Sequence, residues 1–538
     1  MEKILKNMKP LLFYITMFGF LFAMSCFFNG VDPDYWAKLL QGKAFFELGH
    51  ILKQDPYSFM ESPFWYDHEW GSSIVFYFIQ SHFSWLGIIF LKSILLVLIL
   101  FFIIQSIKLQ NIKHTKTPYN IVIFFFILHS MYTLITSGIR CHYFTFMFFT
   151  MFIYMLELVR HKNKNWLLFL FPPIMLLWNN LHGGCVAGLG LIFLYAIGEF
   201  LNKKPFAKYI YTFLASSLML FINPYGVNYV KYLISATTMK RPLIMEWQNP
   251  FLERKANELL KFKINYVIGF LLLLTSFVRT KIISKKNIDY TKYLILILTA
   301  YLSFKYIKHS PFFVITMSIF LYDEFYFVFN ALIYKLRNLL HLNNKTFINV
   351  TVLLKEILVY GFVLLGSFVI IFASPYKPAI VGSFYPYKIV EFLKINNLTG
   401  TVLNEFGLGS YLCYKLYPYN LVYMDGRYEA AYSKKTFDVL EHFYLATKYW
   451  EKVLKTEPAY IIVNKEAKVF ENLKNDKKKR YVIIYQDEKY ALFTKTKYKQ
   501  KNYKQPTSDL NYYNEHIFDL RFKFTDKIYR DGKLIEFK

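Results

Sequence analysis

Apolar runs separated by short polar clusters fill the first 375 residues, and the clusters alternate in kind. One kind is basic: Lys3, Lys6 and Lys9, then Lys108, Lys113 and Lys116, then Arg160 to Lys164, then Lys203-Lys204, then Arg279 to Lys286. The other kind is rich in Asp, Glu, His, Asn and Gly: Asp32 to Trp36, Asp67 to Trp70, Ser137 to His142, Trp178 to Gly184, Asn223 to Gly226 and Glu246-Trp247, with Lys308-His309 falling in the same series. Apolar runs of this kind read as membrane-crossing helices. The pattern predicts eleven, among them 11–28, 85–107, 121–136, 264–277 and 357–373. Basic loops stay on the inner side of a membrane, so the N-terminus is expected inside and the second kind of cluster outside. The first outer loop, 29–84, is expected to hold an amphipathic helix over 33–48, lying along the bilayer interface, and a turn at Asp55 to Ser58. The apolar run 74–83 is too short to span and predicts a second juxtamembrane helix.

From about residue 376 the apolar runs shorten to strand length, at 421–424, 460–463 and 481–485, with a helical stretch at 436–455 between them. Short strands alternating with helices predict a small α/β domain over 376–538, outside the membrane, ending in a polar and loosely ordered tail of 40 residues or so. The fold class is therefore an α-helical polytopic membrane domain, 1–375, followed by an extracytoplasmic α/β domain.

Composition agrees with this. Hydrophobic residues make up 55% of 538, with 57 Phe and 45 Tyr, too apolar for a soluble chain of this length. The formal net charge of +28 comes largely from short loops, where it sets orientation, and no nucleic-acid motif accompanies it. The four cysteines form no CxxC pair, so neither a zinc site nor a disulfide framework is indicated. There is no phosphate loop, no dinucleotide fingerprint and no HExxH helix.

The candidate chemistry lies in the outer clusters. Asp32-Pro33-Asp34 reads as a helix start, with an N-cap Asp and Pro at the first position. It also reads as a pair of carboxylates that lose solvation beside the bilayer and so approach a pKa useful in proton transfer. His68 and Glu69 are a polar loop or a second acid–base group. Arg140 and His142 are suited to a phosphate or to snorkelling toward head groups. Asn179, His182 and the following Gly183-Gly184 are a tight turn or a ligand site for phosphate, sugar hydroxyl or metal. Lys308 and His309 add cationic capacity on the same face, and Glu246 is a weaker candidate. In the tail, Asn404 to Leu412 and Met424 to Arg427 read first as structural turns.

Taken in order, Asp32 to Trp36, His68 to Trp70, Arg140 with His142, Trp178 to Gly184, Asn223 to Gly226, Glu246-Trp247 and Asp425 to Arg427 resemble the motif series of a group of bacterial polytopic glycosyltransferases of the GT-C superfamily. The chain departs from that group at Cys141, where Pro is usual. The resemblance implies transfer of a sugar, with inversion, from a polyprenyl-phosphate or diphosphate donor to an extracytoplasmic glycan or protein acceptor. It makes Asp32 or Asp34 the general base. Arg140, His142, His182, Lys308 and His309 become the donor-phosphate ligands, and His68, Glu69, Asn179 and Glu246 the substrate contacts. It places the enzyme in the cytoplasmic (inner) membrane, with the bilayer and the lipid-linked donor as partners and nucleic acid excluded. Some GT-C enzymes use a divalent metal, Mg or Mn, and Asp32 with Asp34 is an incomplete ligand set for one. The competing class is a non-enzymatic transporter or scaffold for surface polysaccharide assembly.

Overall fold

The computed structural model describes the chain except for residues 1, 61–64, 111–120, 240–243, 252–259, 284–286, 340–344, 375–383, 477, 520–521, 523–526, 531–532 and 537–538. The boundary expected at 375/376 and the inner-loop residues Lys113, Lys116, Lys285 and Lys286 lie outside the described residues.

The helices in chain order are α1 (Glu2–Phe27), α2 (Pro33–Leu48), α3 (Trp70–Leu109), α4 (Ile121–Thr136), α5 (His142–Lys162), α6 (Phe171–Leu181), α7 (Val186–Leu201), α8 (Ala207–Leu218), α9 (Val227–Thr238), α10 (Leu260–Val278), α11 (Tyr290–Lys305), α12 (Ser310–Phe320), α13 (Tyr322–Leu339) and α14 (Lys345–Ala373). Each of the eleven expected spans has a helix at its place. Length and composition qualify five described helices as full crossings, six if the bent pair α12–α13 counts as one span. α11, at 16 residues, falls short. At 1.5 Å per residue it reaches only ~24 Å of a hydrocarbon core of ~30 Å. α10 and α14 turn Phe270, Leu358, Phe362 and Phe372 outward, each more than 60% exposed. A row of large apolar side chains facing outward is the surface a lipid solvent requires.

The 70–83 arm is set off from the rest of α3 at Ser84, whose φ of 55° interrupts the helix. Arg140, just past α4, touches Asp32, just past α1, so the far ends of these two helices lie at the same end of the bundle. The opposite end of the bundle has its own charged knot. Arg160 at the end of α5 pairs with Glu199 of α7 at 2.7 Å and with Asp289 before α11 at 2.6 Å. The two kinds of sequence cluster therefore segregate to two ends of the bundle.

α2 is not an interfacial helix. Tyr35 to Ala44 are all buried, because α2 is clamped between α3 and the C-terminal module. Its polar residues find partners inside: Lys38 pairs with Glu69, Gln41 accepts from Ser73, and Lys43 pairs with Glu47. Gly42 allows the closest approach, since a Cβ there would lie 2.2 Å from the Ser73 carbonyl oxygen. The pattern of apolar and charged positions is the same for a helix facing lipid and one facing paired charges.

The C-terminal module holds α15 (Tyr387–Ile395), β1 (Gly400–Leu403), α16 (Gly409–Leu416), β2 (Asn420–Val422), α17 (Lys434–Tyr444), β3 (Tyr460–Asn464), α18 (Val469–Lys474), β4 (Tyr481–Gln486), β5 (Tyr490–Lys495), α19 (Leu510–Glu515) and a hairpin of β6 (Lys527–Arg530) and β7 (Lys533–Glu536). The main sheet runs β2-β1-β3-β5-β4, parallel from β2 to β3 and antiparallel beyond. The outer loop completes its β2 edge: Val422 N–H donates to Tyr57 O at 3.0 Å, and Phe59 N–H donates to Val422 O at 3.1 Å. An edge strand so covered is protected from other partners. The tail is better anchored than its polarity suggested, because Phe518 packs at 5.5 Å against both Trp36 and Trp85.

Candidate active site

Asp32 serves both of its expected roles, one with each oxygen. Oδ1 accepts the Asp34 N–H at 3.0 Å and caps α2, with Pro33 at the first helical position. Oδ2 accepts from Nε of Arg140. The Arg140 guanidinium then fans across two further carboxylates. Nη1 donates to Glu246 Oε2 at 2.7 Å and stands 3.9 Å from Asp34 Oδ2. The other oxygen of Glu246 accepts from Lys308 at 3.2 Å, and the Lys308 ammonium lies 5.0 Å over the Trp247 ring. Residues from three separate stretches of sequence, 32–34, 140 and 246, thus meet at one guanidinium, whose fixed fork of donors suits several carboxylates at once.

Burial separates these acids. It raises Asp34 to about 7, although the Arg140 charge pulls the other way. The Asp34 side chain keeps 45% of its surface open, so it remains reachable. Burial raises Asp32 as well, against the opposing pull of Arg140. At Glu246 the cost of burial is outweighed by Lys308 and then Arg140, and the carboxyl is held below its ordinary value. Carboxylates pushed apart in this way are the usual mark of divided acid–base roles.

A second knot adjoins the first. Glu69 Oε2 pairs with Lys38 at 2.8 Å, and its Oε1 meets His182 Nε2 at 3.1 Å and His68 Nε2 at 3.6 Å. Against the cost of burial, Lys38 first and His68 second hold Glu69 well below its ordinary value. The tautomer of His182 follows from its partners. The Gly184 backbone N–H donates to Nδ1 at 2.9 Å, so Nε2 carries the proton directed at Glu69. Trp178 Nε1 donates to Thr145 Oγ1 at 2.9 Å, and Thr145 Oγ1 lies 2.8 Å from the same Nδ1. Gly184 has no room for a side chain, since a Cβ would lie 2.5 Å from Thr145 Oγ1. The two glycines after His182 therefore hold the imidazole in place. His68 is fixed from the other side by Tyr232, 3.1 Å from Nδ1, and burial lowers its pKa.

Both knots open onto one cavity of about 1180 Å³. Asp32, His68, Glu69, Arg140, His142, His182, Glu246, Lys305, Lys308 and His309 are its charged or titratable lining. Phe146, Phe149, Leu191, Leu194, Leu298 and Leu302 are among its apolar lining, with hydroxyl side chains such as Thr145 and Thr299 between them. Asp34 is not on the cavity wall; it stands beside it through Arg140. Asn179 does not reach the cavity either. It is buried at the α6 end, donating to Met219 O at 3.4 Å, while its backbone carbonyl accepts from Tyr229 OH at 3.1 Å.

Sequence reasoning missed Lys38, Thr145, Tyr232 and Gly426. Lys38 falls one helical turn after Asp34, which was the one signal available. Gly426 was read as part of a turn and of the Asp425 to Arg427 motif, without a role of its own. It backs the site: a Cβ there would lie 2.7 Å from Asp34 Oδ1. Its neighbours lock the C-terminal module to the outer loop. Arg427 is buried, pairs with Asp425 and with Asp55 of the outer loop at 2.8 Å each, and lies 4.7 Å over Trp65 and 5.0 Å over Tyr57.

As a metal site the arrangement does not fit. Asp32, Asp34 and Glu246 are the hard oxygen donors a divalent ion would use, but Arg140 sits among them as their shared counter-ion. Among the described residues no group of three or more His, Cys, Asp or Glu is arranged to hold a metal ion.

No family model matches the chain, and no curated protein does. Among solved structures it is similar to the Archaeoglobus fulgidus oligosaccharyltransferase in its apo form, with 13% identity and a TM-score of 0.46 over 85% of this chain and 70% of that one. It is also similar to the archaeal oligosaccharyltransferase AglB from the same organism, in complex with an inhibitory peptide and a dolichol-phosphate, with 12% identity and a TM-score of 0.43 over 93% and 77%.

Proposed function

We propose that the protein is a GT-C-type membrane glycosyltransferase that moves a sugar from a polyprenyl-phosphate or diphosphate donor to an extracytoplasmic acceptor, with inversion. The observation that carries this reading is the shape of the cavity's chemistry. Cations and carboxylates gather around Arg140 and Glu69, and much of the rest of the wall is apolar. That is the complement of an amphiphile with an anionic head and a long hydrocarbon tail.

In this reading Asp34 is the base. Asp32 has both oxygens committed, to the helix cap and to Arg140, whereas Asp34 is open and its pKa is close to neutrality. Asp34 takes the proton of the acceptor hydroxyl. The hydroxyl oxygen bonds to the anomeric carbon as the bond from that carbon to the phosphate oxygen breaks, and the electron pair leaves on the phosphate. Lys308 and the unshared donors of Arg140 meet that developing charge, with His142 and His309 beside them. The apolar wall holds the tail, which fixes donor and acceptor in attack geometry. The protein lies in the cytoplasmic membrane with its N-terminus inside, and the C-terminal module supplies the acceptor side of the site.

The test is transfer of radiolabelled sugar from a panel of polyprenyl-phosphate sugars in proteoliposomes. Transfer from at least one donor, inhibited by free polyprenyl phosphate, is expected. Failure of polyprenyl phosphate to bind or inhibit would overturn the donor assignment and favour a scaffold.

A further inference from the structure

The C-terminal module carries a second concave site at the far side of its sheet. A cleft of about 820 Å³ lies between the 3-10 turn Trp450–Thr456, the start of β4 and the residues just after β5. Its two acids are already used: Glu451 pairs with Arg480 at 3.2 Å and Glu457 with Lys495 at 2.9 Å. Five exposed lysines remain on the lining: Lys448, Lys452, Lys455, Lys479 and Lys497. Ammonium groups gathered around a concavity repel one another and focus a positive potential into it, which an anionic ligand relieves.

Two further observations narrow the ligand. The cleft is short of the open apolar anchors a protein partner uses: Leu454 and Tyr481 are buried, while Tyr449 is 61% exposed at its edge. An open aromatic face among cations suits a sugar ring with acidic substituents. The cleft also lies away from the docked outer loop. The outer loop docks on β2, at one edge of the sheet and beyond the carboxyl ends of β1 and β2. The cleft lies at the amino end of β3 and the opposite edge, β4, four strand spacings away. At ~4.8 Å per spacing that is ~19 Å across the sheet.

We propose that this cleft binds an acidic glycan chain, with the lysines reading regularly spaced carboxylates and Tyr449 stacking on a sugar face. The proposal stands apart from the transfer reaction, because it concerns binding at a site distant from Asp34.

The test is binding of oligogalacturonate to the full-length protein in detergent, beside neutral dextran, polyglutamate and anionic lipid vesicles. Oligogalacturonate should bind, weaken steeply with salt, and weaken tenfold or more in the variant K448S/K452S/K479S/K497S, while dextran does not bind. Tyr449→Ala should weaken oligogalacturonate and leave polyglutamate unchanged. These are surface positions, so thermal unfolding should stay as in the wild type. Equal binding of oligogalacturonate to wild type and the lysine variant would overturn the proposal. So would binding of polyglutamate as tight as that of oligogalacturonate, or of the vesicles alone.

Discussion

Asp34 and Arg140 are the residues on which the account is most exposed. A carboxyl lifted to about 7 by burial is protonated below that value and ionised above it. A base must be ionised to accept a proton, so kcat/KM for transfer should rise with pH through about 7 and level off above it. Asp34→Asn should remove that limb together with the activity. Arg140→Lys keeps one charge but loses the fork that spans Asp32, Asp34 and Glu246. Its transfer rate should fall by ~10²-fold, the scale of losing one preorganised donor, with donor binding reduced less. At this scale the sequence was informative about residue types and poor about pairings. Asp32, Glu69, Arg140, His182 and Lys308 were identifiable as polar residues beside apolar runs, where their neighbours make them conspicuous, and Glu246 only as a weaker candidate in a long loop. That Glu246 bridges Arg140 and Lys308 was not, since it depends on contacts between residues 62 and 106 positions apart.

Among the elements, the outer loop and the loop after β2 act as one unit. Arg427 joins Asp425 and Asp55 in a buried cluster. Removing one member of a buried ion pair leaves an uncompensated charge, at a cost of ~3–5 kcal/mol. Arg427→Ala should therefore lower the unfolding temperature in detergent and expose the outer loop to protease. Gly426→Ala is a finer probe. Its added Cβ would press on Asp34 Oδ1 without touching the cavity wall, so kcat should fall while KM for the donor holds. Unchanged kcat would show that Asp34 can shift without penalty. The sequence marked Asp425-Gly426-Arg427 as a motif and a turn, but not its contact with Asp55, which is 370 or more positions away. The helix α2 was legible from its start signal at Asp32-Pro33, but its environment was not. Lys38, Gln41 and Lys43 point to different sides of α2 and find Glu69, Ser73 and Glu47 there, contacts that the sequence does not show.

At the scale of the whole molecule, hydropathy located a helix for each expected span and strands β2, β3 and β4, because burial in lipid or in a sheet selects apolar residues directly. It did not fix helix length, and it missed β1 and β5. Orientation remains an inference from the lysines and is open to measurement. The four native cysteines are all buried. A membrane-impermeant maleimide should label Tyr449→Cys in intact cells and Lys164→Cys only after permeabilisation; the reverse order would invert the topology. The most direct test of the central claim is transfer of labelled sugar from a polyprenyl-phosphate donor by wild type and Asp34→Asn, with equal amounts of folded protein in proteoliposomes. Transfer by the wild type that disappears in Asp34→Asn is the predicted result. Equal transfer by both would contradict the account, leaving Asp34 as a first-turn residue of α2 with no part in the chemistry.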